Sequence, residues 1–260
     1  MVQYGFFFDQ SRCTGCKTCS IACKSWNQIP PGPVRLLRVF EWEEGTWPNV
    51  RLNFLAVPCY HCENPVCADA CPAGAIFKEE KYGAVLIDQE CCLPNVVNCN
   101  RACWDSCPYG SILFASDNSG EKAEKCTMCI DRLEQNMLPI CVASCQMRAL
   151  DFGPLKELID KYGKKFKITQ KLQGMPEPDQ VKPAIIMKER DPHKELVPYD
   201  VNKVFELWKQ RGPYADPQLP PVFNRKSEVT ETQGVKIGRD KLVLKPKNIE
   251  ELMYYTTNDE

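Results

Sequence analysis

The residues with the clearest chemical potential in this sequence are its cysteines, of which there are 17 among 260 residues. They run from Cys13 to Cys145, and no cysteine follows. Thiolates at short, regular spacings are the ligands of zinc ions and of iron–sulfur clusters. The spacing of these cysteines therefore decides what the protein can bind.

The cysteines fall into four groups. Three close cysteines followed by a fourth that begins the next element are typical of bacterial [4Fe–4S] proteins, and the fourth cysteine reaches a second cluster. Group one departs from this pattern only in having Lys24 where a proline is usual. The groups are Cys13, Cys16, Cys19 and Cys23; Cys59, Cys62, Cys67 and Cys71; Cys91, Cys92, Cys99, Cys103 and Cys107; and Cys126, Cys129, Cys141 and Cys145.

Crossed fourth ligands predict four ligand sets, with groups one and four in one module and groups two and three in the other. We expect each set to bind one [4Fe–4S] cluster. The sets are Cys13, Cys16, Cys19 and Cys145 for cluster 1; Cys59, Cys62, Cys67 and Cys107 for cluster 2; Cys92, Cys99, Cys103 and Cys71 for cluster 3; and Cys126, Cys129, Cys141 and Cys23 for cluster 4.

Group three contains one surplus cysteine. Asp9 stands four residues before the first cysteine of group one, and Asp88 stands four residues before Cys92. This shared frame indicates that Cys92 is the ligand and that Cys91 is a buried spectator. The segment 93–98 makes the loop longer than usual, so the site is either an intact four-thiolate site or a modified or lost one. We favour an intact site because four cysteines remain available.

Composition excludes several other classes of protein. A net charge of -1 gives no basic surface for nucleic acid. A disulfide-rich secreted scaffold is usually shorter and follows an export signal, whereas Met1 to Tyr4 leads directly into a strand. No apolar stretch is long enough to span a bilayer. We therefore expect a protein that is cytoplasmic or is carried across the membrane by a partner.

The elements around the cysteines indicate an α+β fold. Short strands are predicted before groups one and three, at Tyr4–Asp9 and 82–88, and after three of the group-ending cysteines. The repeated order of strand, cysteine loop and strand suggests two bacterial-ferredoxin-like modules related by internal duplication. The segments after those cysteines are 75–77, 111–114 and 149–152.

The predicted modules are interleaved. Module A comprises residues 1–24 and 125–153, and module B comprises residues 57–124. Residues 25–56 form a hairpin insertion with strands 34–42 and 47–56, in which Arg35 and Arg38 lie on the solvent face. Residues 154–260 form an extended arm that docks on a partner. The arm contains helices at Leu155–Tyr162 and Val201–Gln210 and the aromatic residues Phe205, Trp208, Tyr214 and Phe223.

The cysteine motifs resemble those of the four-cluster iron–sulfur subunits of the dimethyl sulfoxide reductase family of molybdenum enzymes. The similarity covers about residues 3 to 190 and is weakest at group three and at Gln146. It is carried by Gln3-Tyr4-Gly5-Phe6-Phe7, Arg12 to Cys19, His61-Cys62-Glu63-Asn64-Pro65, Cys107-Pro108-Tyr109-Gly110 and Ala149 to Pro154.

This resemblance implies a non-catalytic electron-transfer subunit. Its partner would be a large catalytic subunit with a bis-pterin molybdenum or tungsten cofactor, and a membrane anchor subunit or a soluble carrier would complete the path of electron transfer. Related subunits serve reductases of S-oxides, arsenate and thiosulfate, formate dehydrogenases and a phenol transhydroxylase. A zinc-stabilised interaction module and a free polyferredoxin are the alternatives from other classes.

His61, between two cysteines, is expected to form hydrogen bonds or lie at the surface rather than bind metal.

Overall fold

The computed structural model describes residues 2–46, 49–97, 99–191, 202–203, 206, 209–210 and 241–256. Its elements mix short helices and strands, as the sequence predicts. In order along the sequence they are β1 (Tyr4–Asp9), α1 (Thr18–Trp26), β2 (Arg38–Thr46), β3 (Asn49–Val57), α2 (Val66–Asp69), β4 (Ile76–Lys78), β5 (Val85–Ile87), α3 (Pro94–Val97), α4 (Ala102–Ser106), α5 (Ile130–Leu133), α6 (Ile140–Ala143), β6 (Leu150–Pro154), α7 (Leu155–Gly163), β7 (Ile168–Thr169), β8 (Ile185–Lys188) and α8 (Ile249–Thr256).

The largest sheet has four strands in the order β6-β1-β8-β7. Strand β1 is apolar on both faces, which suits a central position. It pairs antiparallel with β6, where Phe6 faces Phe152, and parallel with β8, where Phe6 faces Ile185. The sheet therefore extends past residue 153, the predicted end of module A, because β8 from the predicted arm completes the pairing of β1.

Helix α7 covers one face of this sheet and matches the predicted helix almost residue for residue. Phe7, Leu158 and Ile186 form a buried cluster beneath it. The rings of Phe7 and Tyr162 stack with centroids 3.5 Å apart and planes 4° apart. This packing fixes β1, whose last residue, Asp9, leads into group one.

The second cysteine-bearing region has a smaller sheet. Strands β4 and β5 pair antiparallel, with Ile76 opposite Ile87. The predicted strand 111–114 is present only as an isolated bridge between Leu113 and Glu124. It is this short because the backbone turns away at 116–120, which leaves a single residue pair in register.

Strands β2 and β3 form a separate two-stranded sheet. Strand β2 begins at Arg38 rather than at Val34, because the adjacent residues Leu36 and Leu37 are both buried and do not alternate between faces. The prediction that Arg38 lies on the solvent face is wrong, since this residue is 2% exposed. Arg35 is partly exposed.

The protein divides into two compact units. The first contains residues 1–41, 54–190 and 242–260, and includes all the cysteines. The second contains residues 42–53 and 191–241, where Arg51 donates a 2.9 Å hydrogen bond to the carbonyl of Asp191. Much of the predicted arm, including Phe205, Trp208, Tyr214 and Phe223, lies outside the described residues. Within the part of the sequence that the structure describes, no helix is both long enough and apolar enough to cross a bilayer.

Candidate metal centres

The predicted ligands of cluster 1 surround one cavity. Cys13, Cys16, Cys19 and Cys145 all line it, and Phe8, Val39, Ala56 and Leu150 supply an apolar wall. Helix α1 carries Cys19, and the turn before β6 carries Cys145, so two distant parts of the sequence meet here. The structure thus brings together the first three cysteines of group one and the last cysteine of group four.

The predicted ligands of cluster 3 also line a single cavity, namely Cys71, Cys92, Cys99 and Cys103. Cys91 does not line it. The prediction that Cys91 is buried is wrong, because this residue is exposed at a surface turn where its N–H donates to Asp88 Oδ1 over 3.3 Å. The surplus cysteine therefore points to solvent, while its neighbour points to the cavity.

Within each of the other two predicted sets, the thiols are electrostatically coupled. Burial raises the pKa of Cys62, and the charges of Cys59, Cys107 and Cys67 raise it further. The same pattern holds in the fourth set. There, burial raises the pKa of Cys141 well above its usual value, with further contributions from the other three members of the set, Cys126, Cys129 and Cys23.

A left-handed residue recurs two positions after the first cysteine of groups one, two and four. Gly15, His61 and Met128 have φ of 68°, 42° and 60°. This conformation is uncommon for residues with a side chain, and it turns the backbone inwards. In two of these loops the turned N–H donates to the first cysteine sulfur, from His61 to Cys59 over 3.5 Å and from Met128 to Cys126 over 3.4 Å.

The segments that leave the groups repeat a second feature. Three residues after the last cysteine of groups two, three and four stands another left-handed residue, with φ of 59° at Gly74, 56° at Gly110 and 51° at Arg148. One position later the backbone N–H donates to that cysteine sulfur in groups three and four. The donors are Ser111 to Cys107 over 3.4 Å and Ala149 to Cys145 over 3.3 Å. Such bonds stabilise sulfur that carries negative charge.

The chemistry of the cysteines fits iron–sulfur clusters. All 17 are free thiols, so none is joined in a disulfide. Burial raises the pKa of Cys13 to about 11 and those of Cys19, Cys23, Cys67 and Cys103 to about 12, so a bound cation is needed to keep them as thiolates. Among the described residues, no three His, Cys, Asp or Glu side chains are placed to hold a single metal ion. The cavities of the first and third sets, each lined by four thiols, suit a polynuclear cluster.

Three of the predicted sets also contain a thiol that raises the pKa of a thiol in another set. The pKa of Cys141 in the fourth set is raised by burial, by the other members of that set and also by Cys19 of the first set. In the same way Cys59 of the second set raises the pKa of Cys126 in the fourth. Cys103 of the third set does so for Cys67 in the second. These three couplings link the predicted sets in the order first, fourth, second and third.

The sets differ in exposure along this sequence. All four cysteines of the fourth set are buried, as are three of the second. In the first set Cys16 is exposed, and in the third set only Cys103 is fully buried. The two ends of the row are thus the more accessible to other molecules.

Two buried polar residues lie among the sets. His61 is fully buried and accepts a 2.9 Å hydrogen bond at Nδ1 from Val85 N–H, so the hydrogen-bonding role predicted for it is found and the surface role is not. Burial lowers its pKa well below 6.5, which keeps it neutral. Lys125 donates to the carbonyls of Val85 and Cys126.

Sequence reasoning missed Lys125 and the burial of Arg38. The signal for Arg38 was available, because it stands between Leu36-Leu37 and Val39-Phe40. An apolar run of this kind on both sides indicates a strand buried on both faces.

Comparison with protein families identifies the domain type. Residues 12–75 and residues 50–155 each match a family described as a 4Fe-4S dicluster domain. Together the two matches span all four cysteine groups. The protein is therefore confirmed as an iron–sulfur protein with two dicluster domains, each of the ferredoxin-like type.

Curated relatives agree with this assignment. The B subunit of anaerobic dimethyl sulfoxide reductase from Escherichia coli K12 is 43% identical over 169 residues, which cover 62% of this chain and 78% of that protein. The subunit of the same name from Haemophilus influenzae is 36% identical over 197 residues, covering 72% and 90%. Protein NrfC of Escherichia coli K12 is 35% identical over 157 residues, covering 60% and 67%. The polypeptide described here belongs to the family of anaerobic dimethyl sulfoxide reductase B subunits, which are iron–sulfur electron-transfer subunits.

Proposed function

We propose that this protein binds four [4Fe–4S] clusters and passes electrons to or from a catalytic subunit that carries a bis-pterin molybdenum or tungsten cofactor. The proposal is supported by two of the predicted sets, each of which lines one cavity, and by the electrostatic coupling of the thiols within the other two. Each bound cluster would accept and release one electron. The protein's own part is to hold the clusters in a row and to keep water from the inner two.

The ligand sets are those given by the crossed pattern. Cluster 3 includes Cys92 and not Cys91, which is supported by the position of Cys92 at the cavity and of Cys91 at the surface. Internal duplication is supported by the repeated left-handed residues and the repeated N–H donors to sulfur. Module A would then include β8 in addition to residues 1–24 and 125–153.

We further propose the electron path cluster 1, cluster 4, cluster 2, cluster 3. It follows the electrostatic contacts Cys19 to Cys141, Cys126 to Cys59 and Cys67 to Cys103. The accessible ends of the row are the places for exchange with other molecules. One end would face the catalytic subunit, and the other a membrane anchor subunit or a soluble carrier.

The catalytic partner proposed here is a reductase of the dimethyl sulfoxide reductase type, because B subunits of that name are up to 43% identical to this protein. The alternatives are partners of the phenol transhydroxylase, arsenate, thiosulfate or formate type. Copurification of the tagged protein under anaerobic conditions, followed by measurement of the partner's metal and substrate range, separates these possibilities. A protein that always purifies alone and reduces soluble acceptors would instead be a polyferredoxin.

Metal analysis of the anaerobically purified protein tests the cluster content. We expect a brown protein with about sixteen iron and about sixteen sulfide per chain, or about four of each per cluster. Dithionite reduction should produce the electron paramagnetic resonance (EPR) signals of coupled clusters. A colourless protein with zinc and no sulfide would refute the proposal, and about twelve iron per chain would show that one site is altered.

A further inference from the structure

Arg38 is a buried cation beside the proposed ligands of cluster 2. It is 2% exposed, and its Nη2 donates a 3.2 Å hydrogen bond to the carbonyl of Tyr109, two residues after Cys107. The ring of Tyr109 packs edge-on against that of Tyr60, the residue after Cys59, with centroids 4.8 Å apart. The guanidinium therefore lies close to the two segments that carry these cysteines.

Arg38 has no carboxylate partner in the described part of the protein. Among the described residues, none of the ion pairs within 4.0 Å involves Arg38. Burial lowers its pKa to about 10, so it stays charged at neutral pH, and the acidic groups acting on it are Cys107, Tyr60 and Cys59. Burying an unpaired charge is costly, and a charge kept in such a place needs a counter-charge nearby. The available counter-charge is that of the thiolates and of the cluster that they would hold.

We propose that Arg38 raises the reduction potential of cluster 2. The inference rests on the proposed function, since it requires that this cluster is present. One-electron reduction makes the cluster more negative by one charge, and a fixed positive charge nearby stabilises the more negative form. Arg38 itself neither gains nor loses an electron or a proton. Within the proposed path, it makes an inner cluster a better electron acceptor for its neighbours.

The expected size of the effect follows from Coulomb's law. Two unit charges roughly 10 Å apart, at an effective dielectric constant of about 20, change an equilibrium constant about tenfold. For a one-electron couple this is about 59 mV.

The test is an EPR-monitored redox titration of the purified complex under anaerobic conditions, with Arg38→Gln, Arg38→Lys and Lys161→Gln. Lys161 is a matched control because it is a surface cation paired with Asp151 over 2.6 Å. A Cys67→Ser variant identifies the cluster 2 signal as the one that is lost or altered. We expect Arg38→Gln to lower the potential of that signal by the equivalent of about a tenfold change in the equilibrium constant. Arg38→Lys and Lys161→Gln should leave it near the wild-type value.

Several outcomes would overturn the inference. Equal shifts in Arg38→Gln and Arg38→Lys would show that the shape of arginine matters and its charge does not. The same small shift in all clusters would show a general structural effect. If Arg38→Gln does not load its clusters, Arg38→Met replaces it: a lowered potential in Arg38→Met but not in Arg38→Lys supports the inference, and equal potentials in the two contradict it. Absence of all clusters from the wild-type protein would refute the proposed function instead.

Discussion

Groups one and three begin in the same way and then diverge. In each, an aspartate at or after the end of a strand accepts a hydrogen bond from the N–H two residues later, over 2.9 Å at Asp9 and 2.8 Å at Asp88. In each, the third ligand stands two residues after a left-handed residue that begins a helix, Lys17 in group one and Arg101 in group three. Between these points the two loops differ in length.

The difference shows which parts of a cysteine loop are needed to gather its thiols. Group one is compact, and helix α1 buries Cys19 and Cys23. Group three inserts helix α3, yet Cys92, Cys99 and Cys103 still line one cavity. The shared turn at the aspartate and the shared left-handed residue before α1 or α4 therefore suffice to gather the thiols. The loop between these two points can vary in length. In the longer loop of group three, the ligands are more exposed.

The largest expected effect comes from the adjacent cysteines of group three. Cys92→Ser should remove or convert cluster 3, because a thiolate ligand at the cavity is lost, and iron content should fall by as much as about four atoms per chain. Cys91→Ser, one residue away and exposed, should leave the iron content unchanged. Metal analysis and EPR of the two purified variants decide between them. The reverse result would assign the ligand to Cys91.

The compactness of group one predicts a second effect. Gly15 has φ of 68°, and a β-carbon added there would overlap the ring of Phe54. Gly15→Ala should therefore destabilise the fold by about 2–4 kcal/mol, from backbone strain together with overpacking. Gly74→Ala is the matched control, because it has φ of 59° and nothing within 4 Å of the added carbon, and it should cost about 1 kcal/mol.

These two glycine variants are compared by the urea concentration at which the circular dichroism and the cluster absorption are lost under anaerobic conditions. Truncation of Phe54 to alanine in the Gly15→Ala background should recover part of the loss. Equal sensitivity of the two single variants would show that the ring of Phe54 does not constrain group one.

Substitution by asparagine should cost more stability at Asp9 than at Asp88. Asp9 is 3% exposed, and its carboxylate lies 3.7 Å from Lys188 and 3.6 Å from Arg12. Asp9→Asn should cost about 2–4 kcal/mol, because it leaves the mostly buried Lys188 without a counter-charge. Asp88→Asn at the more exposed turn should have a smaller effect. The urea midpoints of the two variants measure the difference, and equal midpoints would contradict it.

The smallest expected effect concerns the reactivity of the exposed thiol. Hydrogen bonding to Asp88 and its negative charge raise the pKa of Cys91 above 9.0. The thiolate fraction at pH 8 is therefore lower than in an ordinary cysteine, and the alkylation rate should level off at a higher pH. Asp88→Asn lowers this pKa and should speed alkylation at about pH 8 a few-fold. Mass spectrometry after timed iodoacetamide treatment measures it, and an unchanged rate would contradict the role of Asp88.

The sequence predicted those parts of the fold that depend on local patterns. Strand β1 has the predicted limits, helix α7 ends within one residue of its predicted end, and the family assignment from the cysteine motifs is confirmed. The placement of Cys92 follows from its spacing to Asp88, which is local information. These features required no knowledge of which distant segments meet.

The features that sequence reasoning missed depend on distant contacts. Strand β8 is a short apolar segment within a proline-rich region, and only its pairing with β1 makes it part of the main sheet. The apolar residues on both sides of Arg38 indicate its burial, but its hydrogen-bond partner, the carbonyl of Tyr109, lies 71 residues later in the sequence. The exposure of Cys91 depends on the direction of one turn. Neither periodicity nor spacing contains this information.

The proposed nesting of one module within the other would have a consequence for biosynthesis. Strand β1 emerges from the ribosome before its partners β6 and β8, which are made about 145 and about 180 residues later. Groups two and three lie wholly between β1 and β6. They can gather their thiols before β6 and β8 have been made. The inner pair of groups should therefore mature before the outer pair, and iron delivery to a nascent polypeptide would begin in the middle of the protein.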